Sequence, residues 1–338
     1  MSPDLPADLR LALDRLVDGR PRGDIARRAT AISDTYRGGG GSDVIRGPDD
    51  ALAYALARLP ATYAAIAAVL SALDDVLPDF APSTLLDVGA GPGTAAFAAA
   101  QRYGALQRVT LLDHNPHLRD LGLTLLAASD RAALRAAVYD RGEAAAGPAT
   151  NALADLAPAD LVLASYVIGE IGADRLAAFA DALWSHAESI LVVVEPGTTA
   201  GFNRIAALRA HLIAAGAHVA APCPHERPCP IVAPDWCHFV QRLNRSRAHR
   251  HVKAAELSYE DEKFAYVVLA REKPARAFDA RVLAPPDVSK VAVTARLCRQ
   301  DGAIATATAP RRDRAAYKAA KGWRWGDALT RAPGEPDR

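Results

Sequence analysis

The chain has 338 residues, half of them apolar and 23% charged, with a formal net charge of +1. No run of about 18 uninterrupted apolar residues offers a bilayer span, and no basic-then-apolar leader follows Met1. A membrane partner and secretion are therefore excluded from the expectations, and a monomeric, cytoplasmic protein in a reducing compartment is expected.

The net charge hides a division. Residues 1–200 hold 16 Lys and Arg against 25 Asp and Glu, whereas residues 201–338 hold 24 against 14. A basic second half points to a polyanionic partner, unless the two halves neutralise each other where they pack.

Residues 1–80 read as a helical region. Leu9, Leu11, Leu13 and Leu16 open an amphipathic stretch, and Leu52, Leu56, Leu59, Tyr63, Ile66 and Leu70 recur at helical spacing between positions 51 and 77. Gly38 to Gly41 and Ser42 break the pattern, and the polar segment 33–37 before them reads as a helix cap. From about residue 82, short apolar runs alternate with helices, as in a parallel doubly wound α/β sheet. Strands are expected at 84–88, 109–113, 161–164 and 190–195, with a further one before Asp140. Their near-continuous apolar character suits burial on both faces. A late strand at 264–271 follows a cysteine-rich insertion at 217–262. Residues 275–338 are expected to form a small β unit, with antiparallel strands at 288–298 and 303–309, and a basic tail. The middle region thus runs from 81 to 274.

The first strand leads into Asp87-Val88-Gly89-Ala90-Gly91-Pro92-Gly93-Thr94. A dinucleotide fingerprint places its third glycine one position later. The form found here resembles motif I of class I S-adenosylmethionine (SAM) methyltransferases. Glycines at 89, 91 and 93 let the backbone approach the methionine moiety, and the Asp87 carboxylate suits its ammonium group. Asp113, at the next strand end, suits the two ribose hydroxyls. Asp140 is placed near the adenine and Ser165 beside the donor. After the fourth strand stand Ser165-Tyr166-Val167-Ile168-Gly169-Glu170, where base-amino methyltransferases carry Asn/Asp-Pro-Pro-Tyr/Phe. Tyr166 or Glu170 would position an acceptor or be structural, and no catalytic residue is assigned.

Three of the four cysteines, Cys223, Cys229 and Cys237, lie within fifteen residues, and Cys298 follows far downstream. The knuckle spacing of structural zinc sites is absent. Wide spacing with proline after cysteine suits the larger body of an iron–sulfur cluster, with zinc as the alternative and His225 and His238 as substitute ligands. Next comes a segment rich in arginine and free of acids, with Arg242, Arg245, Arg247, Arg250 and Lys253. Read as a basic helix, it forms a phosphate-binding face. A solvated face is the plainer reading, although such faces normally mix in acids. Downstream, Tyr317, Trp323 and Trp325 among Arg311, Arg312, Arg314, Lys318, Lys321 and Arg324 suit stacking on unpaired bases, while Trp323 and Trp325 equally suit closure of the small unit's core.

Motif I, Pro-Cys-Pro-His at 222–225, Cys-Pro at 229–230, Trp-Cys-His-Phe at 236–239 and the basic segment together resemble one family. It is the methyltransferase-like protein of the mitochondrial small ribosomal subunit and its bacterial relatives. The likeness spans roughly residues 30–330 and is strongest from 84 to 271. It implies SAM binding, a 4Fe–4S cluster on Cys223, Cys229, Cys237 and Cys298, and attachment to immature small-subunit ribosomal RNA, with the methyl acceptor unassigned. The leading expectation is a SAM-dependent methyltransferase or methyltransferase-like factor of small-subunit assembly. A non-catalytic assembly factor and a zinc-containing methyltransferase for a small molecule or protein are the alternatives.

Overall fold

The apolar runs beyond residue 82 become strands because their Val, Leu and Ile side chains find partners on both faces of one sheet. In the computed structural model, residues 3–140, 153–253, 255–275 and 278–330 are described. The extreme ends of the predicted first and last regions fall outside them.

Five strands run parallel: β1 (Thr84–Val88), β2 (Arg108–Leu112), β3 (Val138–Asp140), β4 (Ala159–Ser165) and β5 (Ala187–Pro196). Then come β6 (His218–Ala221), β7 (Phe239–Asn244) and β8 (Tyr259–Ala270). The order across the sheet is β3-β2-β1-β4-β5-β8-β6, with β7 also paired to β8. β8 lies antiparallel to β5, β6 and β7. Five parallel strands followed by a reversed strand between the fifth and the sixth is the arrangement of the class I SAM-methyltransferase fold, as expected.

Alternate residues serve two cores. Leu85, Leu163, Val192 and Val194 face one cluster, and Leu86, Val162, Leu191 and Val193 face the other. Before the sheet come α1 (Ala7–Val17), α2 (Arg22–Arg37) and α3 (Pro48–Val76); α4 (Thr94–Arg102), α5 (Pro116–Ala127) and the short α6 (Ala132–Arg135) alternate with its first strands. Residues of α1 to α6 lie in the first cluster. On the opposite face lie α7 (Leu176–His186) and α8 (Thr199–Ala214). By length and composition α3 could cross a bilayer, yet 72% of its most apolar window is buried inside the protein. It is a core helix.

The segment after Cys237 departs from the expected basic helix. Phe239 and Leu243 both turn inward, so residues 239–244 pair as a strand with β8, from Phe239↔Phe264 to Asn244↔Tyr259. Only α9 (Arg247–Val252) is helical, capped by Ser246, whose hydroxyl accepts from the His249 amide.

Beyond it, β9 (Ala280–Val282), β10 (Asp287–Val288), β11 (Ala292–Arg299), β12 (Ile304–Pro310) and β13 (Ala328–Leu329) build a second sheet, with α10 (Arg314–Ala320) against it. The expected antiparallel pair is β11 with β12, in register from Ala292↔Pro310 to Cys298↔Ile304. Trp323 packs on the small cores of this unit, so of the two roles offered for it core closure is the one seen, and Tyr317 packs beside it.

Candidate functional site

Two centres lie along the methyltransferase sheet, one on its β3-β2-β1-β4 side and one beyond the end of β6. The first is the loop between β1 and α4. Gly89, Gly91 and Gly93 all have positive φ, at 70°, 54° and 82°, a conformation only glycine adopts freely. A Cβ on Gly89 would lie 2.5 Å from a methyl carbon of Val167. Tyr139, on β3, donates its hydroxyl proton to the Gly91 carbonyl at 2.8 Å, and its ring end occupies the space a side chain at Gly122 would need.

Asp87 is wholly buried at the end of β1. One carboxylate oxygen accepts from the Ala96 amide at 3.2 Å, and Oδ1 has no partner among the described residues. Burial pushes its pKa up to about 7, against the pull of the Ala96 amide and with the nearby Asp113 charge adding to the rise. A buried, unpartnered carboxylate oxygen behind a glycine loop is a receptor for a cationic group. The residues present therefore fit the ammonium end of SAM.

Asp113 follows β2 and is buried. Its Oδ2 accepts from the Gly91 amide at 2.6 Å and its Oδ1 from the Asn115 amide at 2.8 Å. Burial raises its pKa while those two amides lower it. It thus braces the glycine loop, a role the sequence did not suggest. Asp140 ends β3 opposite Leu112, and Ser165 ends β4 opposite Val194. All the expected donor residues therefore gather at the carboxyl ends of neighbouring strands, the usual ligand position in such sheets.

A strap crosses this edge. Ser42 donates its amide and hydroxyl to Glu170, at 3.2 and 3.0 Å, and its hydroxyl meets His114 Nε2 at 3.2 Å. Asn115 donates to the carbonyls of Ser42 and Ile45. The chain after the glycine break therefore spans from the end of β2 to the end of β4, over β1. Glu170 is a partner of this strap.

Tyr166, next to Ser165, holds φ +58°, a left-handed conformation that costs a non-glycine residue on the order of 1–2 kcal/mol. Its hydroxyl donates to Glu262 at 3.0 Å, and Arg58 of α3 pairs with the same carboxylate at 3.1 Å. Arg58 and Glu262 lie 204 positions apart and carry no local signature; sequence reasoning missed both.

The second centre gathers the cysteines. Cys223, Cys229 and Cys237 lie on the connection from β6 to β7, and Cys298 lies on β11. All four line one cavity and all are free thiols. His225 Nε2 sits 3.4 Å from the Cys298 sulfur. Burial, reinforced by the neighbouring thiols, pushes Cys298 up to about 12 and Cys237 well above the ordinary range. Two buried arginines border the cavity. Arg209 donates to the carbonyls of His225 and Arg227, and Arg281 to those of Pro222 and Gly326. Arg209 Nε and Arg281 Nη2 have no hydrogen-bond partner among the described residues. Among the described residues no three His, Cys, Asp or Glu side chains are grouped to hold one metal ion.

The residues nominated for RNA are divided by the structure. Arg242 pairs with Asp261 at 2.7 Å, Arg245 with Glu260 at 3.2 Å, and Lys253 with Glu260. These acids come from β8, outside the arginine-rich segment. Arg247 and Arg250 are exposed on α9 and have no acidic partner among the described residues.

A profile described as mitochondrial small ribosomal subunit Rsm22 matches residues 48–330. The human mitochondrial ribosome assembly protein METTL17 is 29% identical over 296 residues, covering 82% of this chain and 62% of its own length. A mitochondrial Rsm22-cox11 tandem protein of Schizosaccharomyces pombe is 27% identical, over 65% of this chain and 32% of its own. The chain thus spans less than two thirds of the curated relatives it matches. Among solved structures, magnesium protoporphyrin IX methyltransferase from Synechocystis with bound SAM aligns over 79% of this chain and 98% of that one, at 11% identity and a TM-score of 0.41. Precorrin-6y C5,15-methyltransferase from Geobacter metallireducens aligns over 60% and 86%, at 16% identity and a TM-score of 0.38. The profile match runs from α3 through both centres to β13, and the chain belongs to the mitochondrial small ribosomal subunit Rsm22 family.

Proposed function

We propose that the chain is an assembly factor of the small ribosomal subunit. In this reading it binds SAM at the glycine loop, holds a 4Fe–4S cluster between Cys223, Cys229, Cys237 and Cys298, and contacts small-subunit ribosomal RNA with its basic second half, as a monomer. Family membership supports the ribosomal partner. The fold and the unpartnered Asp87 oxygen support the donor.

The observation that carries the cluster is the convergence of Cys298, from β11, with three cysteines of the β6–β7 connection on one cavity. Thiols held protonated by burial need a strongly positive centre to become ligands. Four thiolates leave a cluster net negative, and Arg209 and Arg281 offset that charge. A cluster so held would tie the β6–β7 connection to the C-terminal unit. A zinc ion on the same four cysteines is the alternative reading, and metal and sulfide content separates the two.

The test is cosedimentation of anaerobically purified protein with immature small-subunit particles, alongside single-turnover transfer of labelled methyl from SAM to their RNA. Binding by the holoprotein and loss of binding after oxidative removal of the cluster are expected. Failure of both forms to associate would overturn the assignment to assembly. Association without methyl transfer would leave an assembly factor that is not an enzyme.

A further inference from the structure

Neutralised arginines bind phosphate poorly, so the pairing pattern around α9 decides where a polyanion can sit. On the inner side of α9, Glu260 takes up Arg245, His249 and Lys253. On the outer side, Arg247 and His251 are exposed and line a groove of about 460 Å³ against the α1–α2 turn. Arg15, at the end of α1, and Arg22, at the start of α2, line its opposite wall. Both are exposed, and neither has an acidic partner among the described residues. A fourth arginine of the groove, Arg20, is already paired with Asp49. The floor is apolar, formed by Val17, Ile25 and Val252.

Resting on the RNA-binding reading above, we infer that this groove is a binding site for the sugar–phosphate backbone of single-stranded ribosomal RNA, with Arg15, Arg22 and Arg247 as its phosphate contacts. Three guanidiniums with free donor forks are available for bidentate contact with phosphate oxygens. The groove is far larger than one phosphate needs, which favours a continuous strand over an isolated anion. Its apolar floor suits ribose and base faces. Asp14 and Asp18 also border it, so the positive charge is confined to the three arginines. The site joins the acidic first half of the chain to the basic second half, which charge counting by halves cannot reveal.

The experiment compares full-length, cluster-loaded protein with two variants, using transcribed small-subunit RNA as the probe over a salt series. Arg15→Ala/Arg22→Ala/Arg247→Ala alters exposed side chains only, and an unchanged thermal midpoint would show that the fold is kept. Affinity should fall at least tenfold and the log–log salt slope should shrink by about two, at roughly 0.7 per single-strand phosphate contact. Arg242→Ala/Arg245→Ala should leave the slope nearly unchanged, because both charges are already paired. Wild-type affinity and slope in the groove variant, with loss in the other, would move the RNA to β7 and overturn the inference. Intact RNA binding but lost cosedimentation with the particle would make the groove a protein contact, and overturn it too. Should the wild type itself fail to bind the RNA, the functional reading fails with it, and that result differs from both others.

Discussion

Asp87 is where electrostatics and function meet at the scale of one residue. Its folded pKa of about 7 lies above the ordinary value of 3.8. The folded chain therefore keeps a proton that the unfolded chain releases, and stability is lost as pH rises from about 4 to 7. A donor ammonium needs the ionised form. SAM affinity should accordingly rise between pH 6 and pH 8, while Asp87→Asn should bind weakly with little pH dependence. The same variant should melt higher than the wild type at pH 8 without ligand, by up to a few kcal/mol in stability, because it removes a buried charge. Calorimetry and thermal melts over pH check both, and a pH-independent wild-type affinity would detach Asp87 from the ammonium.

Asp113 carries a related expectation. It braces Gly91, and in the proposed reading it also holds the donor ribose, so Asp113→Ala should weaken SAM at least tenfold, given roughly 1.5–3 kcal/mol per charge-assisted bond. Unchanged affinity by calorimetry would remove it from the site.

At the scale of elements, the pairing of β7 and α9 with β8 organises the region after the cysteines. Glu260 is its hub. Burial raises its pKa, but the hydrogen-bonded Lys253 ammonium and the His249 ring beside it outweigh burial and hold the carboxyl well below the usual range. The stabilisation it brings is present above pH 4.5 and is lost as pH falls toward the folded value. Glu260→Gln should cost roughly 1.5–3 kcal/mol at pH 7, and the two proteins should converge in thermal midpoint as the pH is lowered through 4. A constant difference down to pH 3 would contradict the hub.

This region also shows what the sequence could and could not disclose. Strands β1, β2, β4 and β5 were legible because local apolar runs bounded by glycine, proline or acids dictate them. Phe239 and Leu243 stand four positions apart, a spacing that suits a helix as well as a strand, and only pairing with β8 decides between them. The acids that neutralise Arg242 and Arg245 lie 15 to 19 positions away, and only the β7–β8 hairpin brings them near. Glycine spacing at 89–93 marked the tight loop between β1 and α4, where all three glycines take positive φ. The Ser42 strap and the Arg58–Glu262–Tyr166 contacts come from tertiary pairing, for which no local pattern exists.

Across the whole molecule, the C-terminal unit completes the cysteine centre of the methyltransferase unit. β11 supplies Cys298, β9 supplies Arg281, and Trp325 meets His238 edge-on at 4.9 Å while His238 stacks on Trp236. Spacing alone left the role of Cys298 dependent on family resemblance, because its approach to the other three requires the second sheet to dock. The proposed 4Fe–4S cluster would colour the protein brown, and a chain ending before residue 275 should lose that colour as completely as a Cys229→Ser variant should. It should also expose the 217–262 segment to proteolysis, since ligation organises a connection with little apolar content of its own. A brown, protease-resistant truncated protein would show that three cysteines suffice.

The most direct measurement of the central claim is the metal and sulfide content, with the visible spectrum, of full-length protein purified without oxygen. A 4Fe–4S centre on Cys223, Cys229, Cys237 and Cys298 predicts about four iron and four sulfide per chain and a broad band near ~400 nm. Colourless protein carrying about one zinc per chain, with no acid-labile sulfide, would contradict it.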